Sequence, residues 1–115
     1  MDAATRRDIV ADCASIMVRS FMLLDSRQYE PLAELFGQDG VWVRGGTPCT
    51  GSSEIMAALN DRAGDIVIRH LLTNVDVSVT GPDSAEGKGY FLVYKAKGDG
   101  DEPPLPAPLT PPSMV

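Results

Sequence analysis

Hydrophobic side chains follow a helical period at the start of the chain. Over residues 4 to 24 they recur every three or four positions with polar residues between them, at Ile9, Val10, Cys13, Met17, Phe21 and Leu24. This spacing places them on one face and predicts a long amphipathic first helix. Cys13 is in phase with that face, so we interpret it as a small apolar residue.

Two shorter helices are predicted further along the chain. Residues 27–36 form the second helix, with a buried side made of Tyr29, Leu32, Leu35 and Phe36. The third helix begins near Ser52 or Ser53, ends around Gly64 and carries Ile55, Met56 and Leu59. The pattern therefore predicts three helices within the first half of the chain.

The pattern then changes to that of β-strands. Residues 41–43, "VWV", form a short strand, and residues 66–80 and 85–97 are rich in β-branched and aromatic residues. The turn "GPDS" at 81–84 joins the last two into a long antiparallel hairpin. The order predicts an α+β fold, with helices gathered on one side of a curved sheet.

Composition and charge exclude several classes of function. A net charge of −6 with no basic stripe argues against nucleic-acid and anionic-membrane partners. No apolar run approaches the roughly 20 residues of a membrane span, and no signal-peptide segment is recognisable, so we expect a cytoplasmic protein. Two distant cysteines and a single histidine exclude common zinc sites, and no metal or cofactor is expected.

The end of the chain differs in composition from the rest. Six of the nine prolines lie within residues 103–112, which excludes a helix or a central strand there. We therefore predict one domain over 1–97, followed by a Pro-rich loop or tail over 98–115. Its PxxP spacing also suits an SH3-type ligand, which we favour less.

His70 is the side chain best suited to proton transfer near neutral pH. Strand alternation places it on one face with Ile68, Leu72 and Asn74. Simple pairing about the turn puts it opposite Tyr94; a bulge or slip would substitute Val93 or Lys95. Tyr94 and Asn74 could hydrogen-bond a substrate. The alternative is that all three are ordinary packed or surface residues.

Asp25 has two possible roles. It precedes Gln28 by three residues, the spacing of a capping box, in which it would start the second helix. A catalytic carboxylate is the other role. The local residues alone favour the cap.

Three segments together resemble the SnoaL-like branch of the nuclear transport factor 2-like superfamily. They are "LLDSRQYEPLAELFGQDGVW" at 23–42, "CTGSSEIMAAL" at 49–59 and "IRHLLTNVDVSVTG…GYFLVY" at 68–94. The resemblance covers residues 5–97. It implies a cone-shaped fold, with three N-terminal helices on a strongly bent antiparallel sheet around an interior pocket. Two C-terminal strands usual in the family are expected to be missing, although "SMV" at 113–115 could open one.

The resemblance also implies chemistry. In scytalone dehydratase and the hexachlorocyclohexane dehydrochlorinase, an aspartate ending the first helix supports a histidine on the long strand; these correspond to Asp25 and His70. The dehydrochlorinase has a lysine where this chain has Ser20, which argues against halide elimination. The dehydratase has a second histidine that this chain lacks, so Tyr94 or Lys95 would have to serve.

The resulting functional hypothesis is a cofactor-independent lyase or isomerase, of dehydratase or cyclase type. It would act on a small apolar oxygenated ring in a pocket, with a wall formed by Phe21, Trp42, Ile68 and Phe91. A homo-oligomer, dimer or trimer, is expected because the resemblance leaves a sheet edge uncovered. The alternative is a non-catalytic ligand-binding or assembly domain, like the small subunits of ring-hydroxylating dioxygenases.

Overall fold

The computed structural model describes residues 1–97 and the short strand Ser113–Met114. In chain order its elements are α1 (Ala3–Asp25), α2 (Tyr29–Glu34), β1 (Val41–Arg44), β2 (Thr47–Thr50), α3 (Gly51–Asn60), β3 (Ile66–Gly81), β4 (Ser84–Lys97) and β5 (Ser113–Met114). This confirms the predicted α+β cone fold. Across the described part of the chain, no helix is long and apolar enough to cross a membrane. The Pro-rich segment predicted at 103–112 lies outside the described residues.

Helix α1 has defined signals at both ends. Asp2 caps the N-terminus, where its carboxylate accepts the Thr5 N–H at 2.8 Å. At the C-terminus, the Gln28 N–H donates to the Leu23 carbonyl and the Arg27 N–H to the Leu24 carbonyl. This is a Schellman motif, with Arg27 in the left-handed conformation (φ 59°) that glycine usually occupies. The motif ends α1 immediately after Asp25.

Strands β1 and β2 form a separate two-stranded sheet. Gly45 and Gly46 join them, both with positive φ (55° and 85°), as a two-residue hairpin turn requires. The sequence predicted β1 but not β2, which contains Pro48. Pro48 is tolerated in β2, where it pairs with Val43, because this sheet has only two strands and both are edges.

Strands β3 and β4 form the long hairpin, and its register shifts at two places. From Asp76 to Val79 the predicted pairing holds, for example between Asp76 and Lys88, and next to the turn Gly81 pairs with Ser84 after a second shift. Between Thr73 and Asp76 the register slips by one residue, and Asn74 has φ 55°. His70 therefore pairs with Val93 instead of Tyr94. The simple pairing was wrong at the site, and the bulge considered as its alternative is what occurs.

The core lies between the end of α1, α2 and α3. Its buried members are Leu23, Leu32, Ala33, Ile55 and Leu59. Ile55 and Leu59 are completely buried, and each stabilises the fold by about 1.5–3 kcal/mol relative to exposure. The prediction that Leu35 is buried was wrong, since it is 39% exposed. The short α2 turns only part of its apolar surface inwards.

Strand β5 is the third strand of the larger sheet. Ser113 pairs with Phe91 and Met114 with Tyr90, antiparallel to β4. Ser113 and Met114 thus form a short strand, in the segment where the resemblance suggested that one could open. Strand β4 is central, and β3 is an edge within the described residues.

Candidate active site

The site forms where the end of α1 meets the edge of β3. Asp25 is the last residue of α1, held in place by the Schellman motif. His70 lies on β3, in the regularly paired stretch before the bulge. The two residues are 45 positions apart in sequence, and the packing of α1 on β3 brings them together.

Asp25 binds His70 through both of its carboxylate oxygens. Oδ1 is 2.6 Å from the ring Nδ1, and Oδ2 accepts the His70 backbone N–H at 2.7 Å. The side chains are only 10% and 11% exposed. A carboxylate oxygen is an acceptor, so Nδ1 carries the proton of this contact and Nε2 is left as the other ring nitrogen. Nε2 makes no hydrogen bond with any described residue.

The capping role, one of the two considered for Asp25, does not occur. Helix α2 begins at Tyr29 with Gln28 as its N-cap, and no side chain caps it. The Gln28 side chain instead donates to Ser26 Oγ at 2.9 Å. The Asp-x-x-Gln spacing in this chain spans the end of α1 and not the start of α2. The end of α1 was hard to recognise from the sequence, because Arg27 occupies the position of the Schellman motif where glycine is usual.

Two phenylalanines surround the imidazole of His70. The Phe21 ring stacks on it with centroids 4.9 Å apart, and the Phe91 centroid lies 5.6 Å away. The two phenyl rings also contact each other, at 5.4 Å. This apolar shell limits the access of water, which strengthens the interaction between His70 and Asp25.

An apolar cavity lies beside this cluster. It has a volume of about 240 Å³ and is lined by Met17, Ser20, Phe21, Leu24, Leu32, Phe36 and Trp42. This is slightly below the usual ligand-site range of about 300–1,000 Å³, so it suits a small ligand. Phe21 belongs both to the cavity wall and to the shell around His70. Neither Asp25 nor His70 is among the described wall residues.

The predicted pocket wall is therefore only partly observed. Phe21 and Trp42 line the cavity, whereas Phe91 packs against Phe21 and His70. Ile68 shares the strand face of His70 but is not among the described cavity residues. The sequence prediction of the wall missed Met17, Leu24, Leu32 and Phe36, which it had placed on apolar helix faces, and it missed Ser20. The signal for Ser20 was its position on α1 next to Phe21.

Two predicted substrate contacts are misplaced. Tyr94 pairs with Arg69, so alternation puts it on the face of the sheet opposite His70. Asn74 is exposed at the bulge, where its Oδ1 accepts the Thr73 hydroxyl at 2.8 Å. Both errors have one cause, because the bulge changes register and facing in a way that strict alternation does not anticipate.

Comparison with known proteins identifies the family. A model of the SnoaL-like domain matches residues 5–107. The chain belongs to the SnoaL-like domain family. This places it in the nuclear transport factor 2-like superfamily, as the sequence resemblance indicated. The SnoaL-like family includes cyclases and isomerases. A search of curated proteins finds no match.

Solved structures agree with this assignment. ActVI-ORFA from Streptomyces coelicolor has a TM-score of 0.74 at 24% identity, over 94% of this SnoaL-like chain and 81% of its own. A protein from Catenulispora acidiphila has a TM-score of 0.71 at 25% identity, over 84% and 72%. A Catenulispora acidiphila structure in complex with S-DNPA gives 0.66 at 26% identity, over 82% and 72%. The ActVI-ORFA match, at 24% identity, supports the fold alone.

Proposed function

We propose that this SnoaL-like chain is a cofactor-independent lyase or isomerase of the dehydratase or cyclase type. The observation that carries the proposal is the 2.6 Å contact between Asp25 Oδ1 and His70 Nδ1, in an apolar shell next to a cavity. His70 is the general base and Asp25 its positioning partner. A family that includes cyclases and isomerases supports the same class of reaction.

The proposed chemistry is a proton abstraction. His70 Nε2 takes a proton from a carbon next to a leaving group or a carbonyl, and the electron pair of that C–H bond forms the new double bond. Asp25 keeps the Nδ1 proton in place and stabilises the imidazolium as it forms. In a dehydration the imidazolium of His70 gives this proton to the leaving hydroxyl, which departs as water; in an isomerisation it returns the proton to another carbon.

The proposed substrate is a small apolar ring compound that carries oxygen. The cavity wall is apolar apart from Ser20 and the Trp42 indole N–H, which disfavours strongly charged ligands. The Catenulispora acidiphila structure with bound S-DNPA supports the view that a fold of this kind holds a small molecule. Because Phe21 separates the cavity from His70, the proposal requires the substrate to reach Nε2 past this ring.

Isotope exchange tests the proposal without knowledge of the full reaction. The chain is incubated with S-DNPA in D2O, and exchange of carbon-bound protons or conversion of the compound is followed by NMR and mass spectrometry. We expect His70→Gln to lower the rate by about 10²- to 10⁴-fold with little change in binding. A rate that is equal in wild type and His70→Gln would exclude His70 as the base.

A non-catalytic ligand-binding domain is the second candidate. It is favoured by one observation, namely that neither Asp25 nor His70 is among the described cavity residues. Trp42, the single tryptophan of the chain, lies in the cavity wall, so its fluorescence reports ligand binding directly. Saturable quenching by S-DNPA, with neither exchange nor conversion at high enzyme concentration, would support this candidate over the enzyme.

A further inference from the structure

Ser20 supplies the one hydroxyl group among the described cavity residues. The other six members of the wall are Met17, Phe21, Leu24, Leu32, Phe36 and Trp42. Ser20 lies on α1 next to Phe21, the residue that also stacks on His70. A polar group in an apolar cavity contributes more to specificity than to affinity, because few other atoms there can orient a ligand.

The hydrogen-bonding capacity of Ser20 is restricted. Its Oγ lies 2.7 Å from the Met17 carbonyl oxygen. A carbonyl can only accept, so the serine proton is committed to this bond. The hydroxyl oxygen retains a lone pair that no other described residue engages. Ser20 can therefore accept a hydrogen bond from a ligand, but it can donate one only by giving up its bond to the helix backbone.

We propose that Ser20 selects ligands that carry a ring hydroxyl, by accepting the hydrogen bond of that O–H group. A phenol or enol hydroxyl gains this bond, whereas a methyl ether or an unsubstituted ring does not. The inference rests on one part of the proposed function, namely that the cavity binds the substrate. Ser20 is a positioning residue in this account and takes no part in proton abstraction.

The expected discrimination follows from one neutral hydrogen bond made in a largely apolar cavity. Such a bond favours the hydroxylated ligand by about fivefold in affinity. Removing Ser20 Oγ leaves the ligand hydroxyl without a partner, so the loss falls on the phenol alone. The affinity for the ether changes little, because it makes no bond to Ser20.

A titration with 1-naphthol and 1-methoxynaphthalene tests the inference on the full chain. Binding is followed by the ¹³C-methyl NMR signal of Met17, which lines the cavity. Ser20→Ala removes the acceptor and favours the helix, whereas Ser20→Thr keeps a hydroxyl that can make the same backbone bond. Ser26→Ala is the matched control, since Ser26 donates to the Met22 carbonyl at 2.7 Å but is not among the described cavity residues.

The outcomes separate this inference from the proposed function. Wild type, Ser20→Thr and Ser26→Ala are expected to bind the phenol about fivefold more tightly than the ether, and Ser20→Ala to bind both equally. Equal affinities in wild type, or a preference that persists in Ser20→Ala, would overturn the role of Ser20 while leaving the catalytic proposal intact. If neither compound shifts the Met17 signal at millimolar concentration, the cavity is not a ligand site and the inference fails.

Discussion

Replacing Asp25 tests whether one carboxylate holds both the ring and the backbone of His70. Asp25 accepts two short hydrogen bonds, at 2.6 Å and 2.7 Å. A hydrogen bond to a charged group contributes about 1.5–3 kcal/mol. Because both side chains are about nine-tenths buried, hydrogen bonds to water would replace little of this contribution in a variant. Asp25→Ala leaves two donors unsatisfied, so we expect the free energy of unfolding to fall by about 3–5 kcal/mol.

The loss of about 3–5 kcal/mol expected for Asp25→Ala is a large share of the stability of a small domain, about 5–15 kcal/mol. Asp25→Asn is therefore the more informative variant. The amide keeps one oxygen and can satisfy only one of the two donors. We expect a loss of about 2 kcal/mol in urea denaturation. If the amide nitrogen faces the ring, ¹⁵N NMR should show the His70 proton moving from Nδ1 to Nε2, which would remove the proposed base.

The matched control is Asp12→Asn, the same change at an exposed position of the same helix. It should alter the free energy of unfolding by less than about 0.5 kcal/mol. The reasoning is refuted if Asp25→Asn is as mild as this control and the His70 proton stays on Nδ1. That result would mean that the packing of α1 on β3 holds His70 without the carboxylate.

Three further substitutions test the cavity wall, the bulge in β3 and the N-terminal cap of α1. A Cβ on Gly87 would overlap with Met17 Sδ, so Gly87→Ala should push Met17 towards the cavity and weaken ligand quenching of tryptophan fluorescence. An unchanged affinity would contradict this. Asn74→Val should cost about 1–2 kcal/mol by urea denaturation, because φ 55° disfavours β-branched residues; an equal midpoint would show that the bulge relocates.

The third change concerns acid stability. The hydrogen bond from the Thr5 N–H lowers the pKa of Asp2 below its ordinary value of 3.8. The cap therefore stabilises α1 fully above pH 3.8, and this contribution is lost as the pH falls through the lower pKa of the folded state. Asp2→Asn keeps a capping oxygen that does not titrate, so the acid shift of the Thr5 amide NMR signal should vanish. If the acid shift of the Thr5 amide signal persists in Asp2→Asn, a titrating group other than Asp2 causes it.

The sequence predicted the elements well and the site only in part. The long helix, the hairpin and the single histidine were clear from periodicity and composition. The partnership of Asp25 and His70 came from the family resemblance, because no local pattern relates residues 45 positions apart. Locally, Asp25 and Gln28 matched a capping box, and only the three-dimensional path through Arg27 shows the end of α1 instead.

The misplacement of Tyr94 and Asn74 arises from one backbone feature. Tyr94 and Asn74 were placed by strict alternation along the hairpin. Asn74 interrupts that alternation, and an asparagine within a β-branched run gives no clear sign of a bulge. A single residue of slip reverses the facing of every later side chain. The predicted homo-oligomer and the role of the Pro-rich segment stay predictions.

The hydrogen bond from the His70 backbone N–H to Asp25 makes the two partners unequal in what a substitution removes. Any residue except proline at position 70 keeps this amide, and so keeps α1 attached to β3 through Asp25 Oδ2. Loss of the histidine side chain therefore removes one of the two hydrogen bonds, about 1.5–3 kcal/mol, whereas loss of the aspartate removes both. One substitution at position 70 would therefore remove the proposed base while the amide contact between α1 and β3 is kept.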